Sequence, residues 1–238
     1  MTTTVATAPP TTARSSTDLR RSHRWFVALL MPIGPAAVAV LRFVLPSSTT
    51  DDSSGLVTEI AANLGAQSLV LSLALVALFT LVPGAFGVLR LVGRRAPKLT
   101  AAAGLLLIPG YLGLFGGLAP DLIAYVGVKG GMAQSDVAHM VDLAGTAIWP
   151  NIALTVFVVG HILGTVLLGI AMFRSRVVAR GWGVAMAISQ PLHLLAAMTG
   201  NHPLDLFAWG MTALAMSAAA VALIRLPDGE WDLPPATT

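Results

Sequence analysis

An all-α fold, a polytopic membrane bundle of six transmembrane helices with both termini in the cytoplasm, is the class the sequence predicts, and three observations predict it. Of 238 residues, 55% are hydrophobic and only 11% charged, a balance foreign to soluble globular domains. Six apolar runs each approach the roughly 20 residues that carry a helix across a hydrocarbon core. The basic residues gather on alternate loops between those runs, as Lys and Arg retained in the cytoplasm do.

The first run, 25–45, follows Arg14, Arg20, Arg21 and Arg24. Its basic flank and the Ala37-Val38-Ala39 triplet resemble a signal peptide with a cleavage site. The apolar stretch outlasts a signal h-region, however, and Arg20-Arg21 lacks the sequel of a twin-arginine signal, so a retained span is expected. Runs two and three, 62–89 and 99–118, enclose Arg90, Arg94, Arg95 and Lys98. Runs four and five, 150–173 and 181–199, enclose Arg174, Arg176 and Arg180, and run six, 204–224, precedes Arg225. Twelve of the fourteen basic residues therefore lie on one side, leaving Arg42 and Lys129 opposite, among Asp51, Asp52, Glu59, Asp121, Asp136, Asp142 and Asp205. Pro150 and Pro203 mark first turns, where proline is tolerated. Trp25, Trp149, Trp182 and Trp209 fall near run ends, where indoles favour the membrane interface.

Outside the membrane domain, 25–225, residues 1–24 and 226–238 are expected to be disordered cytoplasmic tails, the first being rich in Thr, Ser and Pro. Between runs three and four, Val137, Met140, Val141 and Ala144 repeat at i, i+3, i+4, i+7, which predicts a helix lying in the interface.

The chemistry to be expected is bounded mainly by what is missing. With no cysteine, thiol nucleophiles, disulfides and thiolate metal sites are excluded. No phosphate-binding loop, dinucleotide fingerprint or nucleophile elbow occurs, so neither an enzyme nor a cofactor is predicted. The formal charge of +3 is spread over short loops as a topology signal and does not point to nucleic acid. The expected partners are the bilayer itself, anionic lipids at the cytoplasmic loops and a second copy of the chain.

One polar cluster stands out. His161 lies in the otherwise apolar run "VVGHILGTVLLGIAMFRS", 13 residues before Arg174, while His193 lies 13 residues after Arg180. At 1.5 Å per residue both are about 20 Å from the intervening turn, so an antiparallel hairpin levels them. Thr165 shares the His161 face, and Ser189 and Gln190 share the His193 face. Pro191 frees the carbonyl of Ala187. Gly160 and Gly164 form a G-x-x-x-G pair that admits a neighbouring backbone. The candidate pocket is thus His161, Thr165, Ser189, Gln190 and His193.

Three roles fit it: packing by hydrogen bonds across helices, worth about 0.6 to 2 kcal/mol each, with or without a small apolar ligand; a substrate or proton path through His161, Gln190 and His193; and bis-histidine haem ligation. Against haem stand a close glycine contact between the two helices and the lack of a second histidine pair. On the acidic side, Asp136, His139 and Asp142, and separately His202 and Asp205, are spaced as weak candidates for a metal ion. A solvated helix face and a carboxylate at a helix N-terminus are the stronger explanation.

Gly160, His161, Gly164, Gly169, Arg174, Ser175, Arg180 and Gly183 reproduce a glycine, histidine and arginine spacing across 157–183. In this, the hairpin resembles that of a bacterial six-span membrane protein family catalogued as a domain of unknown function. The resemblance implies a six-helix fold and no activity, and His193 lies outside the shared pattern. The heavy use of Ala, Val and Gly, with Arg far ahead of Lys, resembles the coding of GC-rich bacteria such as actinobacteria, and a bacterial cytoplasmic membrane is the expected location.

Overall fold

The structure, a computed structural model, describes residues 18–48 and 51–232. The N-terminal tail up to residue 17, including Arg14, and residues 233–238 lie outside the described residues. Within them the chain forms α1 (Arg20–Val44), α2 (Ser53–Ala62), α3 (Leu64–Gly93), α4 (Pro97–Gly117), α5 (Ala119–Lys129), α6 (Gln134–Thr146), α7 (Ile148–Ser175), α8 (Arg180–Thr199), α9 (His202–Ile224) and α10 (Asp228–Trp231). Among the described residues there is no β-strand.

Five helices are long and apolar enough to cross a membrane: α1, α3, α4 running on into α5, α7 and α9. The 20-residue α8 falls short of the apolar character of the others because Ser189, Gln190, Pro191 and His193 occupy its middle. The apolar surface supports the same coarse reading. Phe79, Leu105 and Met198 are each at least 70% exposed, an arrangement that costs free energy in water and none against lipid tails.

The long helices close into a ring in chain order: α1 packs on α3, α3 on α4, α4 on α7, α7 on α8, α8 on α9, and α9 returns to α1. Small residues permit the close approaches. A Cβ at Gly160 would lie 2.5 Å from the Leu106 carbonyl oxygen, and one at Gly110 would lie 2.6 Å from the His161 nitrogen. Gly113 likewise packs on Ala153 and Phe157 within the chain. Gly160 and Gly164 therefore serve the α4–α7 seam, whereas the α7–α8 seam uses Gly169 against Ala187 and Gly183 against Phe173. The expectation that the G-x-x-x-G pair closes α7 onto α8 is corrected accordingly.

The two ends of the ring differ. At one end, α2, α5 and α6 form a cap whose own small core contains Val57, Ile60, Ala124, Val137 and Val141. The sequence missed α2, whose start is capped by Asp52 accepting from the Gly55 N–H at 2.7 Å. Because α2 and α5 cover Val137 and Val141, α6 is held by protein, and Met140, expected on the same face, is exposed. At the other, basic end, Asp18 accepts from the Arg20 N–H at 3.0 Å and starts α1. The Arg20 side chain holds the Asp18 carboxyl down at about 2.

The segment after Arg225 departs from the expected disordered tail. It folds into α10, where Asp228 pairs with Arg24 at 2.7 Å and the Trp231 carbonyl accepts from Arg90 at 2.7 Å. The Trp231 indole is buried beneath the Arg90 guanidinium. A single amphipathic residue between charges supplies the docking that composition alone does not reveal.

Candidate functional site

The turn between α8 and α9 sets the site. Gly200 ends α8 in the left-handed region, at φ +63°, where glycine carries no Cβ penalty. Asn201 then caps α9 by accepting from the Leu204 N–H at 2.9 Å. This tight reversal brings Asp205, in the first turn of α9, beside His193 of α8.

His193 Nδ1–H donates to Asp205 Oδ1 at 2.5 Å, and Arg42 Nε of α1 donates to Asp205 Oδ2 at 2.5 Å. Asp205 is only 1% exposed, so its charge is held by two partners from two other helices, as a carboxylate removed from water requires. Asp121 of α5 lies within electrostatic reach of Arg42 and accepts from Gln67 of α3 at 3.0 Å. Together these groups tie five helices at the capped end.

His161 faces the same space from α7. Its Nδ1 lies 2.5 Å from the Phe157 carbonyl oxygen. Because a carbonyl only accepts, Nδ1 carries the proton and Nε2 presents a lone pair. That Nε2 is buried without a partner among the described residues. The ring stacks on Phe157 at 4.2 Å and on Trp209 of α9 at 5.9 Å between centroids. The His161 and His193 centroids are 5.5 Å apart, so the two imidazoles meet as the counting predicts.

Both line a cavity of about 240 Å³ in the capped half of the ring. Arg42 and Asp121 border it at one end, and Leu41, Leu114, Val158, Ile162 and Leu194 supply its apolar wall. Trp209 also lines it, and its buried Nε1–H has no partner among the described residues. Two of the residues bordering the cavity, His161 and Trp209, thus each carry a buried ring nitrogen without a partner among the described residues, one an acceptor and one a donor.

The other predicted pocket residues fall about one turn deeper, off the cavity wall. Gln190 Nε2 donates to Thr212 Oγ1 at 3.1 Å, Thr212 donates to Ser189 Oγ at 2.8 Å, and Ser189 donates to the Met186 carbonyl at 2.8 Å. That chain binds α8 to α9. Thr165 is buried beside Tyr111, short of hydrogen-bond geometry. The predicted five thus divide into a cavity-lining pair, His161 and His193, and a packing layer.

The weak metal candidates do not converge: among the described residues no three His, Cys, Asp or Glu side chains are placed to hold an ion. Asp136, His139 and Asp142 are exposed, with Asp142 accepting from Ser53 of α2 at 2.5 Å. Asp205 turns to His193 and Arg42 instead of His202, since a buried carboxylate gains more from two desolvated donors than from a partly exposed imidazole. Haem does not fit either. The cavity is smaller than the roughly 300 to 1,000 Å³ of drug-sized sites, and a macrocycle does not pass between rings already in van der Waals range.

Trp209, read from sequence as an interface residue, is 1% exposed because it lies two turns inside α9, against His161. Arg42, Asp121, Asp205 and Phe157 were also missed as parts of this site. One signal was available: Arg42 is a lone cation within an apolar run on the acidic side, and such a group requires a carboxylate partner. Compared with protein families, curated proteins and solved structures, the chain matches none.

Proposed function

We propose that this chain is a non-enzymatic, six-span protein of the bacterial cytoplasmic membrane that holds a small, mostly apolar ligand with one hydroxyl-type polar group. The observation that carries this reading is the His161 Nε2 lone pair, buried without a partner in a residue that borders a 240 Å³ cavity. An unpaired buried acceptor costs about 1 to 3 kcal/mol, which a ligand hydroxyl donating to Nε2 and accepting from Trp209 Nε1–H recovers. An apolar cavity of about 150 Å³ already admits benzene, so a one-ring or short-chain molecule fits.

Phenol is the probe of choice. Titrated into the detergent-solubilised protein, it is expected to bind at one site, followed by quenching in a variant keeping Trp209 as its only tryptophan. His161→Phe, which preserves the stack and removes the lone pair, is expected to weaken binding about 10-fold, the equivalent of one neutral hydrogen bond. Equal affinity for phenol and toluene, or no loss in His161→Phe, overturns the reading. A transport path is less well supported, because Gln190 is engaged with Thr212 and lies off the cavity wall.

The six-span, N-in and C-in topology belongs to the same proposal. It rests on α8 lying between α7 and α9 in the ring, on the charge asymmetry, and on the resemblance of the 157–183 hairpin to the bacterial six-span family. A reporter enzyme fused after Thr238 is expected to be active only in the cytoplasm, and periplasmic activity overturns this count.

A further inference from the structure

At the basic end, remote from the histidines, a second cavity of about 700 Å³ is bordered by Arg90, Arg94, Arg95, Arg176 and Glu230. Its charged groups sum to +3. Arg90 is committed to α10, through the Trp231 carbonyl and Asp232. Arg95 spends one N–H on the Ser175 carbonyl at 3.2 Å, and Arg94 meets Glu230 only at 4.0 Å. Arg176 makes no ion pair among the described residues, and its backbone is fixed in the left-handed region at φ +54° by the turn that ends α7. Three guanidinium groups with unspent N–H donors therefore face one space.

The remaining wall is apolar, from Leu91 of α3, Val177 and Leu226. It sits where α3 and α9 end. Planar guanidinium forks match phosphate oxygens, and an apolar wall beneath them suits the upper carbons of acyl chains. A free anion would use the arginines and leave that wall without a role. We propose that this cavity binds an anionic phospholipid, its phosphate held by Arg94, Arg95 and Arg176 and its chains laid against Leu91, Val177 and Leu226. The loose Arg94–Glu230 contact is the one the phosphate displaces, and α10 forms the rim without filling the space.

The test uses the full chain in neutral detergent with added phosphatidylglycerol or phosphatidylcholine, the bound lipid being counted by native mass spectrometry. One phosphatidylglycerol is expected to be retained in preference to phosphatidylcholine. The Arg94→Gln/Arg176→Gln double variant is expected to lower that affinity about tenfold or more, since each juxtamembrane cation contributes about 1 kcal/mol. Lys98→Gln, at the same end but off the cavity wall, is expected to stay within about twofold. All three substituted residues are exposed, and an unfolding midpoint equal to wild type verifies that each variant is folded. Arg176→Lys supplies a second check, with affinity expected between wild type and the double variant because charge is kept and the fork is lost. Unchanged affinity in the double variant, or an equal loss in Lys98→Gln, overturns the site. Displacement of the lipid by equimolar inorganic phosphate overturns the lipid assignment in favour of a free anion.

Discussion

Replacing Asp205 by Ala is expected to lower stability more than any other single change at the histidine cavity, by about 3 to 5 kcal/mol. The residue is 1% exposed and accepts from both Arg42 and His193. Its removal leaves a largely buried cation and an imidazole N–H without their acceptor. Asp205→Asn keeps an acceptor for His193 but loses the charge opposite Arg42, so a smaller loss is expected. The paired Arg42→Leu/Asp205→Leu change removes both charges and is expected to cost much less than the two single changes summed, as replacement of buried ion pairs generally does. Thermal unfolding of these solubilised variants, with Arg42→Leu and Asp205→Leu as the two single changes, reads the effects. A wild-type midpoint for Asp205→Ala, or additive losses in the double variant, would show that Asp205 and Arg42 do not act as a buried pair.

The second large effect lies at the α4–α7 seam. A Cβ at Gly160 meets the Leu106 carbonyl oxygen at 2.5 Å and the Gly110 Cα at 2.8 Å. These neighbours are backbone atoms and cannot rotate aside, so the helices must part. Gly160→Ala is expected to cost about 1 to 3 kcal/mol by overpacking, and Gly160→Leu to prevent folding. Because Gly160 adjoins His161, the smaller variant should also weaken phenol binding. Gly210→Ala is the matched control, since a Cβ there meets nothing within 4 Å. It is expected to stabilise by about 0.5 to 1 kcal/mol, the usual gain on removing glycine from a helix interior. Opposite signs at two helical glycines separate close packing from helix propensity. Equal effects would mean that the seam is not close-packed.

Much of the fold is legible in the sequence because its determinants are local. Apolar run length gives helix boundaries within a few residues, as for α7, expected over 150–173 and found at Ile148–Ser175. Residue counting places His161 and His193 at one depth because helical rise is constant. Less of the site is legible. Ser189 and Gln190 share a helical face with His193, yet they address Thr212, on a helix whose angular position around α8 no periodicity encodes. Trp209 looks like an interface residue by its distance from a run end, while its burial depends on which face of α9 turns inward.

By itself, the sequence determined the helical class, the division into a basic and an acidic end, the glycine faces and the shared depth of the two histidines. All of these follow from run length, charge position and helical period, which are properties of the chain taken one segment at a time. Only the tertiary structure decided that α9 returns to α1, that Gly160 serves α4 instead of α8, and that Arg42 and Asp205, 163 residues apart, become partners. It also decided that α2, α5 and α6 gather into a cap and that α10 docks under Arg90. The physical reason is common to all of these. Burying a charge or closing a backbone contact requires a partner from a distant segment, and which partner arrives is set by how the whole ring closes.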